Sequence, residues 1–503
     1  MAIWPNEENL YFMSVLAKLA SGVGWGTISI CAVTFFQLFF MAVMARLLDP
    51  ADFGLIAIAN VSLRFYSYFS QAGIAPALIQ KKSLQEGDVN AALALSLGIS
   101  SLFFLLAYLA SPLTEGYFEL RGLSAVMQVL AINFIILGFS SISQALLRRD
   151  SRFKEISIIE IISYVLGYGI TGVTAAYMGF GVWSLVVAFM TQSILAAILS
   201  YRAIRFPIRF KHSKAQRKSL MGYGMKYSII GFVEFITANI TPLVIGKVLG
   251  AAPAGYYNRS ALLAHLPVEK PANVLSQTLF PLMSKANDEY DKQLIGFQLS
   301  SLAVGCYACA VGISVHYAAY DIVSVLLGSK WLDAVPALKI LALTVGPLYI
   351  AHAAGVTLDV MAKLKLKLRI QLAVLLFMMM QLIWIMPSLS IEKMVYVILS
   401  MACMRLLLMY GCVSVALNMT KKELMLIILT FISVTAITGA FTYAISTLFI
   451  QVDIPVLRLL IDILAGGVGL VISCMFSRYF LRSLHSIHYL EQQLPSFKKI
   501  MAM

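Results

Sequence analysis

The chain has 503 residues, of which 60% are hydrophobic and only 12% are charged. Ordinary soluble domains carry roughly 25% charged residues, so this composition excludes a soluble globular protein. The formal net charge is +14. The basic residues stand in short links between apolar runs, where they set membrane orientation and contact lipid headgroups. The charge therefore gives little support for nucleic acid as a partner.

The first twelve residues, MAIWPNEENLYF, resemble the beginning of a protease site that is used to remove affinity tags. We expect residues 1–12 to be a tag remnant and Met13 to be the native start. No cleavable signal peptide follows, so we expect the first apolar run to span the membrane.

Apolar runs of 18 or more residues recur along the rest of the chain, and each can cross roughly 30 Å of hydrocarbon as a helix. The sequence therefore predicts an all-α integral membrane protein with about fourteen transmembrane helices. The predicted helices cover 22–46, 52–79, 88–111, 122–147, 155–177, 181–203, 221–249, 254–284, 293–317, 332–359, 365–386, 393–417, 423–449 and 456–481. Alternate links are rich in Lys and Arg, so the positive-inside rule places both termini in the cytoplasm.

An internal repeat relates two parts of the chain. The segment VMARLLDPADFG at 43–54 aligns with VIGKVLGAAPAG at 244–255, at an offset of 201 residues. Six spans separate the copies, so they share one orientation, as in transporters with parallel repeats and a substrate site between the halves. We predict two six-helix lobes plus a terminal helix pair. The divisions are 13–205 for the N-lobe, 206–220 for a basic cytoplasmic linker, 221–420 for the C-lobe, 421–483 for helices 13 and 14, and 484–503 for a cytoplasmic tail.

Arg64 lies about a dozen residues from the nearer end of its apolar segment, too deep for its side chain to reach either interface comfortably. An Arg at a helix centre costs about 2.5 to 3.5 kcal/mol on the translocon scale, so it must face water, a counter-charge or both. Asn60, Arg64 and Gln71 recur at helical spacing and form one polar stripe. A hydrated cavity and a structural ion pair both explain the stripe, and we favour the cavity.

The repeat carries this stripe onto a second helix. A shift of 205 residues aligns Asn60 and Arg64 with His265 and Glu269, and Lys270 follows at similar depth. Prolines on both sides of this pair leave backbone groups that are tolerated only against protein or water. Glu269 and Lys270 therefore either line the same cavity or neutralise neighbouring charges.

Other charged residues also lie within apolar segments. For Arg405 a cavity and an ion pair are equally good explanations. Glu234 balances an Arg or carries a proton in coupled transport, and we favour pairing. Arg259, just inside the opposite mouth, contacts either a passing anion or lipid headgroups. His316 and His352 lack metal-ligand spacing, so no metal site is predicted. Basic groups predominate at depth, and a cavity with that bias favours an anion.

Several segments, in order and spacing, resemble one known family. They are ARLLDPADFGLIAIAN, GIAPALIQKK, LLRRDSRFKEIS, GFGVWSLV, GKVLGAAPAGYYNRSALL and LFPLMSK. From about residue 22 to 480 the chain resembles the bacterial Wzx-type flippases, the polysaccharide-transporter branch of the multidrug/oligosaccharidyl-lipid/polysaccharide exporter superfamily. The glycines of these segments, Gly54, Gly179, Gly181 and Gly255, also suit tight turns between spans.

The resemblance implies two lobes around a cationic cavity that opens alternately to the cytoplasm and the periplasm. The implied cargo is a polyprenyl-pyrophosphate-linked oligosaccharide, moved to the outer leaflet of the bacterial cytoplasmic (inner) membrane for exopolysaccharide or O-antigen export. A polysaccharide polymerase and other assembly proteins are the implied protein partners. Family members place basic residues on the second and eighth helices toward the cavity, and Arg64 and Lys270 match that pattern by position. Relatives often have an Asp after the Asn of the seventh span, whereas this chain has NITPL at 239–243.

Three rival functions stay open. A multidrug antiporter of the same superfamily would need buried carboxylates for cationic drugs, and the basic excess argues against it. A peptidoglycan-precursor flippase is closer in mechanism. A membrane polysaccharide polymerase or ligase would need a sizeable outer loop, and every predicted outer link is short, so we expect no enzyme. No phosphate-binding loop is present, so we expect no nucleotide cofactor and consider a proton or sodium gradient as the driving force.

Overall fold

The computed structural model describes residues 29–70, 78–79, 81, 84, 86–208, 228–285, 290–449 and 454–481. These ranges are almost entirely helical and contain no β-strand, so the all-α prediction is confirmed. The chain divides into two compact units. The first contains the residues up to Phe232 together with Pro242–Gly255, and the second contains Val233–Thr241 and the residues from Tyr256 onward.

Six helices belong wholly to the first unit. They are α1 (Ser29–Leu47), α2 (Pro50–Ser70), α3 (Glu86–Phe118), α4 (Leu123–Arg149), α5 (Phe153–Tyr177) and α6 (Val182–Ile204). Within α5 the stretch Val165–Gly172 is a π-helix. The second half of α4 packs against both α3 and α6.

Two helices are divided between the units and six belong to the second. The divided helices are α7 (Ser228–Val248) and α8 (Ala251–Lys285). The others are α9 (Tyr290–Ile322), α10 (Val335–Val360), α11 (Leu364–Ile385), α12 (Ile391–Ala416), α13 (Lys421–Leu448) and α14 (Pro455–Leu481). A π-helical turn, Val323–Leu327, follows α9. Helix α10 packs between α9 and α12, and α14 packs against α13 and α9.

Each of the fourteen predicted segments overlaps one of these helices. Eleven helices in the described ranges are long and apolar enough to cross a membrane. Helices α2, α7 and α8 are not among the eleven. Each includes side chains outside the described part of the chain, and together they carry Arg64, Glu234 and Lys270. The figure of about fourteen membrane spans therefore stays a prediction.

Helix α3 runs past the end that the sequence predicts. The prediction ended the segment at residue 111, but the helix continues through Pro112 to Phe118. Proline lacks an N–H, so the carbonyl oxygen of Tyr108, four residues earlier, loses its usual helical partner. The Ser111 hydroxyl donates a hydrogen bond to that oxygen at 2.8 Å. A neighbouring hydroxyl thus lets the helix continue, as is common in membrane helices.

Gly54 and Gly255 lie inside helices, so the prediction that they form turns is wrong for this pair. A Cβ atom on Gly54 would lie 1.7 Å from the carbonyl oxygen of Ala251. A Cβ atom on Gly255 would lie 2.0 Å from the carbonyl oxygen of Pro50. Small residues let helix backbones approach this closely in membranes. Glycine is required at both positions because α2 and the beginning of α8 touch through their backbones.

This glycine contact within the first unit is reciprocal. Pro50 and Gly54 of α2 meet Gly255 and Ala251 of α8, and the equivalent residues differ by 201 positions. The sequence repeat has the same offset. A contact in which each residue meets the counterpart of its own partner is the mark of a two-fold axis. The geometry at this contact is therefore the one that parallel repeats would give.

The segment GFGVWSLV forms the end of the turn between α5 and α6 and the first residues of α6. Gly179 and Gly181 have φ angles of +81° and +54°. Glycine adopts this left-handed region without the steric cost that side chains carry. The tight-turn prediction is confirmed for these two glycines.

The segment LLRRDSRFKEIS carries two arginines that donate to backbone carbonyl groups of other segments. Arg149, at the end of α4, donates to the carbonyl oxygens of Leu78 and Ile79 at 2.8 and 3.1 Å. Arg152 donates to the carbonyl oxygen of Ala203 at 2.8 Å, in the last turn of α6. The last carbonyls of a helix lack intrahelical partners and carry partial negative charge, so a cation there is favourable. These arginines therefore stabilise the first unit in addition to any role in orientation.

Candidate functional site

The second unit contains a cluster of five polar side chains from four helices, which we call the C-unit network. Its members are Glu234 of α7, Asp359 of α10, Lys367 and Gln371 of α11, and Arg405 of α12. Two of them, Glu234 and Arg405, were predicted site residues.

The Gln371 amide joins the two predicted residues. Arg405 donates to the amide oxygen at 2.8 Å, and the amide nitrogen donates to a carboxylate oxygen of Glu234 at 2.8 Å. A guanidinium can only donate and a carboxylate can only accept, so its two ionised neighbours fix the orientation of the amide. Gln371 is buried, with 3% of its surface exposed. Gln371 therefore bridges Glu234 and Arg405, which are not in direct contact, through one hydrogen bond to each.

Lys367 forms the other end of the C-unit network. Its ammonium nitrogen lies 2.7 Å from a carboxylate oxygen of Asp359 and 3.8 Å from one of Glu234. Two carboxylates thus face two cations, and the charges balance. His352 of α10 lies within electrostatic range of all four. The geometry supports charge pairing for Glu234, which is the role that we favoured from the sequence.

Arg405 lies near the middle of α12, about 21 Å along the axis from Ile391 at 1.5 Å per residue. Its side chain is largely buried, and among the described residues its Nε atom has no hydrogen-bond partner. The structure thus places Arg405 in a polar network that reaches Glu234 through one amide. Contact between Arg405 and a substrate stays a prediction.

Helix α8 carries three further predicted residues. Glu269 is exposed, whereas Lys270 and Arg259 are partly buried. Pro271 lacks the N–H that would bond the carbonyl oxygen of Pro267. The Tyr307 hydroxyl of α9 donates to that oxygen at 3.1 Å. Protein therefore satisfies one of the backbone groups that the prolines leave, at the level of the Glu269–Lys270 pair.

Helix α2 carries the stripe that was predicted to line a cavity. Arg64 is exposed and Asn60, one turn earlier, is partly exposed. Ile58, Ala59 and Val61 between and beside them are buried. The two polar residues thus occupy the less buried face of the helix. Gln71 lies outside the described residues.

Sequence reasoning assigned no site role to Gln371, Lys367 or Asp359, and it considered His352 only as a metal ligand. Lys367 and Gln371 stand four residues apart on α11, so they share one helix face. His352 and Asp359 stand seven apart on α10, which also places them on one face. This spacing is the signal that could have identified them.

An apolar cavity of about 700 Å³ lies elsewhere in the second unit, between α9, α10, α12 and α13. Gly346, Ile350, Leu407, Ile428 and Phe431 are among its lining residues. Such a lining suits a hydrocarbon chain and offers little to a sugar, which needs polar partners. The second unit therefore contains a polar network and an apolar cavity.

The helical architecture is that of known membrane transport proteins. The chain is similar to the structure of the lipid II flippase MurJ in an inward closed conformation, with a TM-score of 0.64 and 14% identity. The match covers 91% of this chain and 99% of that one. An inward-facing transporter of the multidrug resistance MATE family gives a TM-score of 0.57 at 14% identity, over 77% of this chain and 96% of that one. At this identity the likeness shows the fold alone.

Sequence comparison identifies the family. Residues 43–336, more than half of the chain, match the family model described as polysaccharide biosynthesis protein. The chain belongs to this family. The resemblance seen in the sequence is thus confirmed, and the class is a membrane protein of polysaccharide biosynthesis.

Named relatives agree with this family. The teichuronic acid biosynthesis protein TuaB of Bacillus subtilis is 27% identical over 66% of this chain and 68% of its own length. A membrane protein encoded in the cps region of Klebsiella pneumoniae is 25% identical over 70% of this chain and 73% of its own length. The lipopolysaccharide biosynthesis protein WzxC of Escherichia coli is 21% identical over 65% and 67%.

Proposed function

We propose that the chain is a flippase for a polyprenyl-pyrophosphate-linked oligosaccharide. It moves this lipid from the cytoplasmic to the periplasmic leaflet of the inner membrane by alternating access through a cationic cavity. The family, and relatives named for teichuronic acid, lipopolysaccharide and succinoglycan biosynthesis, support a lipid-linked glycan as cargo. The fold shared with a lipid II flippase supports the mode of transport.

The observation that carries the proposal is the position of Arg64. It lies about 21 Å along α2 from Pro50, at 1.5 Å per residue, and its side chain is exposed. A charged group at that depth is costly against hydrocarbon and is therefore expected to face a water-filled cavity or a charged ligand. A pyrophosphate brings about two negative charges, and the Arg guanidinium offers it a bidentate fork.

The other polar residues of this proposal extend the same chemistry. Asn60 on α2, with Lys270 and Arg259 on α8, would contact the headgroup or the glycan. A sugar needs polar walls because its hydroxyl groups lose their water on entry. The prenyl chain can stay in lipid, and the apolar cavity of the second unit provides a second surface of that kind.

The proposal also covers the orientation of the chain in the membrane and the driving force for transport. Both termini lie in the cytoplasm, and a proton or sodium gradient or the consumption of product on the far side gives net transport. Glu234 is the residue proposed from the sequence for ion coupling or charge balance, and its contacts with Gln371 and Lys367 favour balance. A polysaccharide polymerase on the periplasmic side is the expected functional partner.

The test is transport by purified protein in liposomes, with a fluorescent short-chain polyprenyl-pyrophosphate oligosaccharide as substrate. We expect Arg64→Ala to lower the translocation rate at least about tenfold, since a charge-assisted hydrogen bond contributes about 1.5–3 kcal/mol. Arg64→Lys keeps the positive charge but loses the bidentate guanidinium, so its translocation rate should lie between those of Arg64→Ala and the wild type. Arg202→Ala is the matched control, because Arg202 is an exposed arginine in the last turn of α6. An Arg64→Ala variant that inserts normally and flips at the wild-type rate would remove Arg64 from the mechanism.

The same liposomes separate the rival functions. A peptidoglycan-precursor flippase, which the MurJ-like fold favours as second candidate, would translocate lipid II at least as fast as the oligosaccharide substrate. A multidrug antiporter would move a cationic dye against an ion gradient. Either result, with no movement of the lipid-linked oligosaccharide, would overturn the proposed function.

A further inference from the structure

The meeting point of α9 and α14 in the second unit contains three ionisable groups outside the C-unit network. Arg458 and Asp462 stand four residues apart on α14, so they share one face. Asp321 is the second-last residue of α9, which the π-helical turn Val323–Leu327 follows directly. Helix α14 packs against both α9 and that turn. Single π-helical turns of this kind are frequent at functional sites.

Arg458 is committed to one of the two carboxylates. Its Nε atom donates to Asp321 Oδ1 at 2.6 Å, and a terminal guanidinium nitrogen donates to the same oxygen. The guanidinium also lies over the Tyr320 ring, 5.8 Å from the ring centroid. Asp321 is 7% exposed. The Arg458–Asp321 pair is therefore a largely buried, hydrogen-bonded ion pair.

Asp462 has no such arrangement. Its residue surface is 1% exposed, and within the described part of the chain neither of its carboxylate oxygens has a hydrogen-bond partner. Among the described residues, the charged groups that act on it are Asp321, which repels a second anion, and Arg458, which donates to Asp321. Helix α13, the other helix packed against α14, has charged residues only in its first turn, at Lys421, Lys422 and Glu423. Two carboxyl groups thus share one guanidinium.

An ionised carboxylate in this position would be buried without a hydrogen bond, which is among the most unfavourable states of a side chain. A bound proton removes the charge and also supplies an O–H donor. A sodium ion fits less well, because hard cations need several oxygen ligands and Arg458 places a positive charge beside the site. Within the described residues no group of three His, Cys, Asp or Glu side chains is placed to hold a metal ion.

We propose that Asp462 is a proton-binding site within the membrane domain, separate from the C-unit network. In this conformation the carboxyl group holds its proton while Arg458 pairs with Asp321. When water reaches the site or the Arg458–Asp321 pair opens, the O–H bond breaks and the proton passes to water. The carboxylate then takes Arg458 as its counter-ion, and Arg458 keeps its own charge throughout. This inference does not depend on the identity of the transported lipid.

Labelling with N,N′-dicyclohexylcarbodiimide tests the proposal directly, since this apolar reagent reacts with protonated carboxyl groups in apolar surroundings. Purified protein is treated at pH 7 and the labelled peptide is identified by mass spectrometry. We expect the label at Asp462, with a reactive fraction that falls about tenfold per pH unit once the carboxyl ionises. Exposed Glu392, at the beginning of α12, is the internal control and should stay unlabelled. An unlabelled Asp462 at pH 7 would overturn the proposal.

Two variants sharpen the result. Asp321→Asn removes the negative charge that repels a carboxylate at Asp462 and weakens the hold of residue 321 on Arg458, so we expect labelling of Asp462 to drop at least about tenfold. Unchanged labelling would contradict the proposal that Asp321 and Asp462 share Arg458 as their counter-ion. Asp462→Asn keeps the shape and the neutral charge, so we expect wild-type thermal stability in detergent, and a large loss would show that the native group is ionised. Protection of Asp462 by sodium over choline at constant pH and ionic strength would identify a sodium site and also overturn the proposal.

Discussion

The Gly54 contact gives the sharpest test of the fold. In Gly54→Ala the new Cβ atom would lie 1.7 Å from the carbonyl oxygen of Ala251, 2.6 Å from the carbonyl carbon and 2.9 Å from the Gly255 nitrogen. Favourable contacts between carbon atoms need about 3.5–4.0 Å, so the two backbones must separate by roughly 2 Å. Neither side can yield by changing a side-chain rotamer, because every blocking atom belongs to backbone.

The expected loss follows from that geometry. Overpacking against side chains typically costs about 1–3 kcal/mol, and backbone on both sides places this case at the upper end. Ala gains up to about 1 kcal/mol over Gly in a helix interior, which leaves a net loss of about 2 kcal/mol. We therefore expect a lower midpoint of thermal unfolding in detergent, measured by fluorescence-detected size exclusion.

Gly98→Ala is the matched control. Gly98 is exposed on α3, and a Cβ atom there would have no other atom within 4 Å. Only the helix-propensity gain applies, so its midpoint should equal or exceed that of the wild type. Gly255→Ala should match Gly54→Ala, and the double variant should be less destabilised than the sum, since the helices separate only once. If Gly54→Ala is as stable as Gly98→Ala, the close backbone contact does not exist.

Two further predictions concern hydrogen bonds within single units. Gln371→Leu should lower the free energy of unfolding by about 1.5–3 kcal/mol, because Glu234 and Arg405 both lose a hydrogen bond to the amide between them. Gln381→Leu on the same helix loses only the Ser400 hydroxyl and should cost about 1 kcal/mol. Equal losses in detergent unfolding would contradict the bridging role. Ser111→Ala should cost about 1 kcal/mol in the wild type and much less in a Pro112→Ala background, where residue 112 regains the N–H that bonds Tyr108. The same loss in both backgrounds would show that Ser111 does not replace the missing bond.

The helices were predictable from the sequence, whereas their ends and partners were not. Length and hydropathy found all fourteen segments because a membrane helix must bury its backbone hydrogen bonds within itself. The predicted segment stopped at residue 111, seven residues before the end of α3, because the hydroxyl of Ser111 that replaces the bond lost at Pro112 depends on a side-chain rotamer. Likewise Glu234 and Gln371 are 137 residues apart in sequence, and no local pattern could pair them.

The polar candidates divide in the same way. Depth in a helix predicted that Arg405 and Glu234 need partners, and the structure supplies a shared amide that depth alone could not name. For Arg64 the sequence predicted a polar face, and the structure shows an exposed side chain on it. Asp462 went unnoticed because it lies near the beginning of its helix. Its burial, which makes it unusual, depends on α9 and α13.

The repeat and the glycine contact explain each other. At a two-fold axis a segment meets its own counterpart, so a steric requirement that arises at one point appears in both copies of the sequence. Gly54 must lack a side chain because Ala251 approaches it, and Gly255 must lack one because Pro50 approaches it. The sequences of the two copies can differ elsewhere, but both must keep glycine here, because a Cβ atom on either residue would clash with backbone atoms. The matching glycines at an offset of 201 are therefore what two-fold packing demands, and Gly255→Ala should repeat the defect of Gly54→Ala.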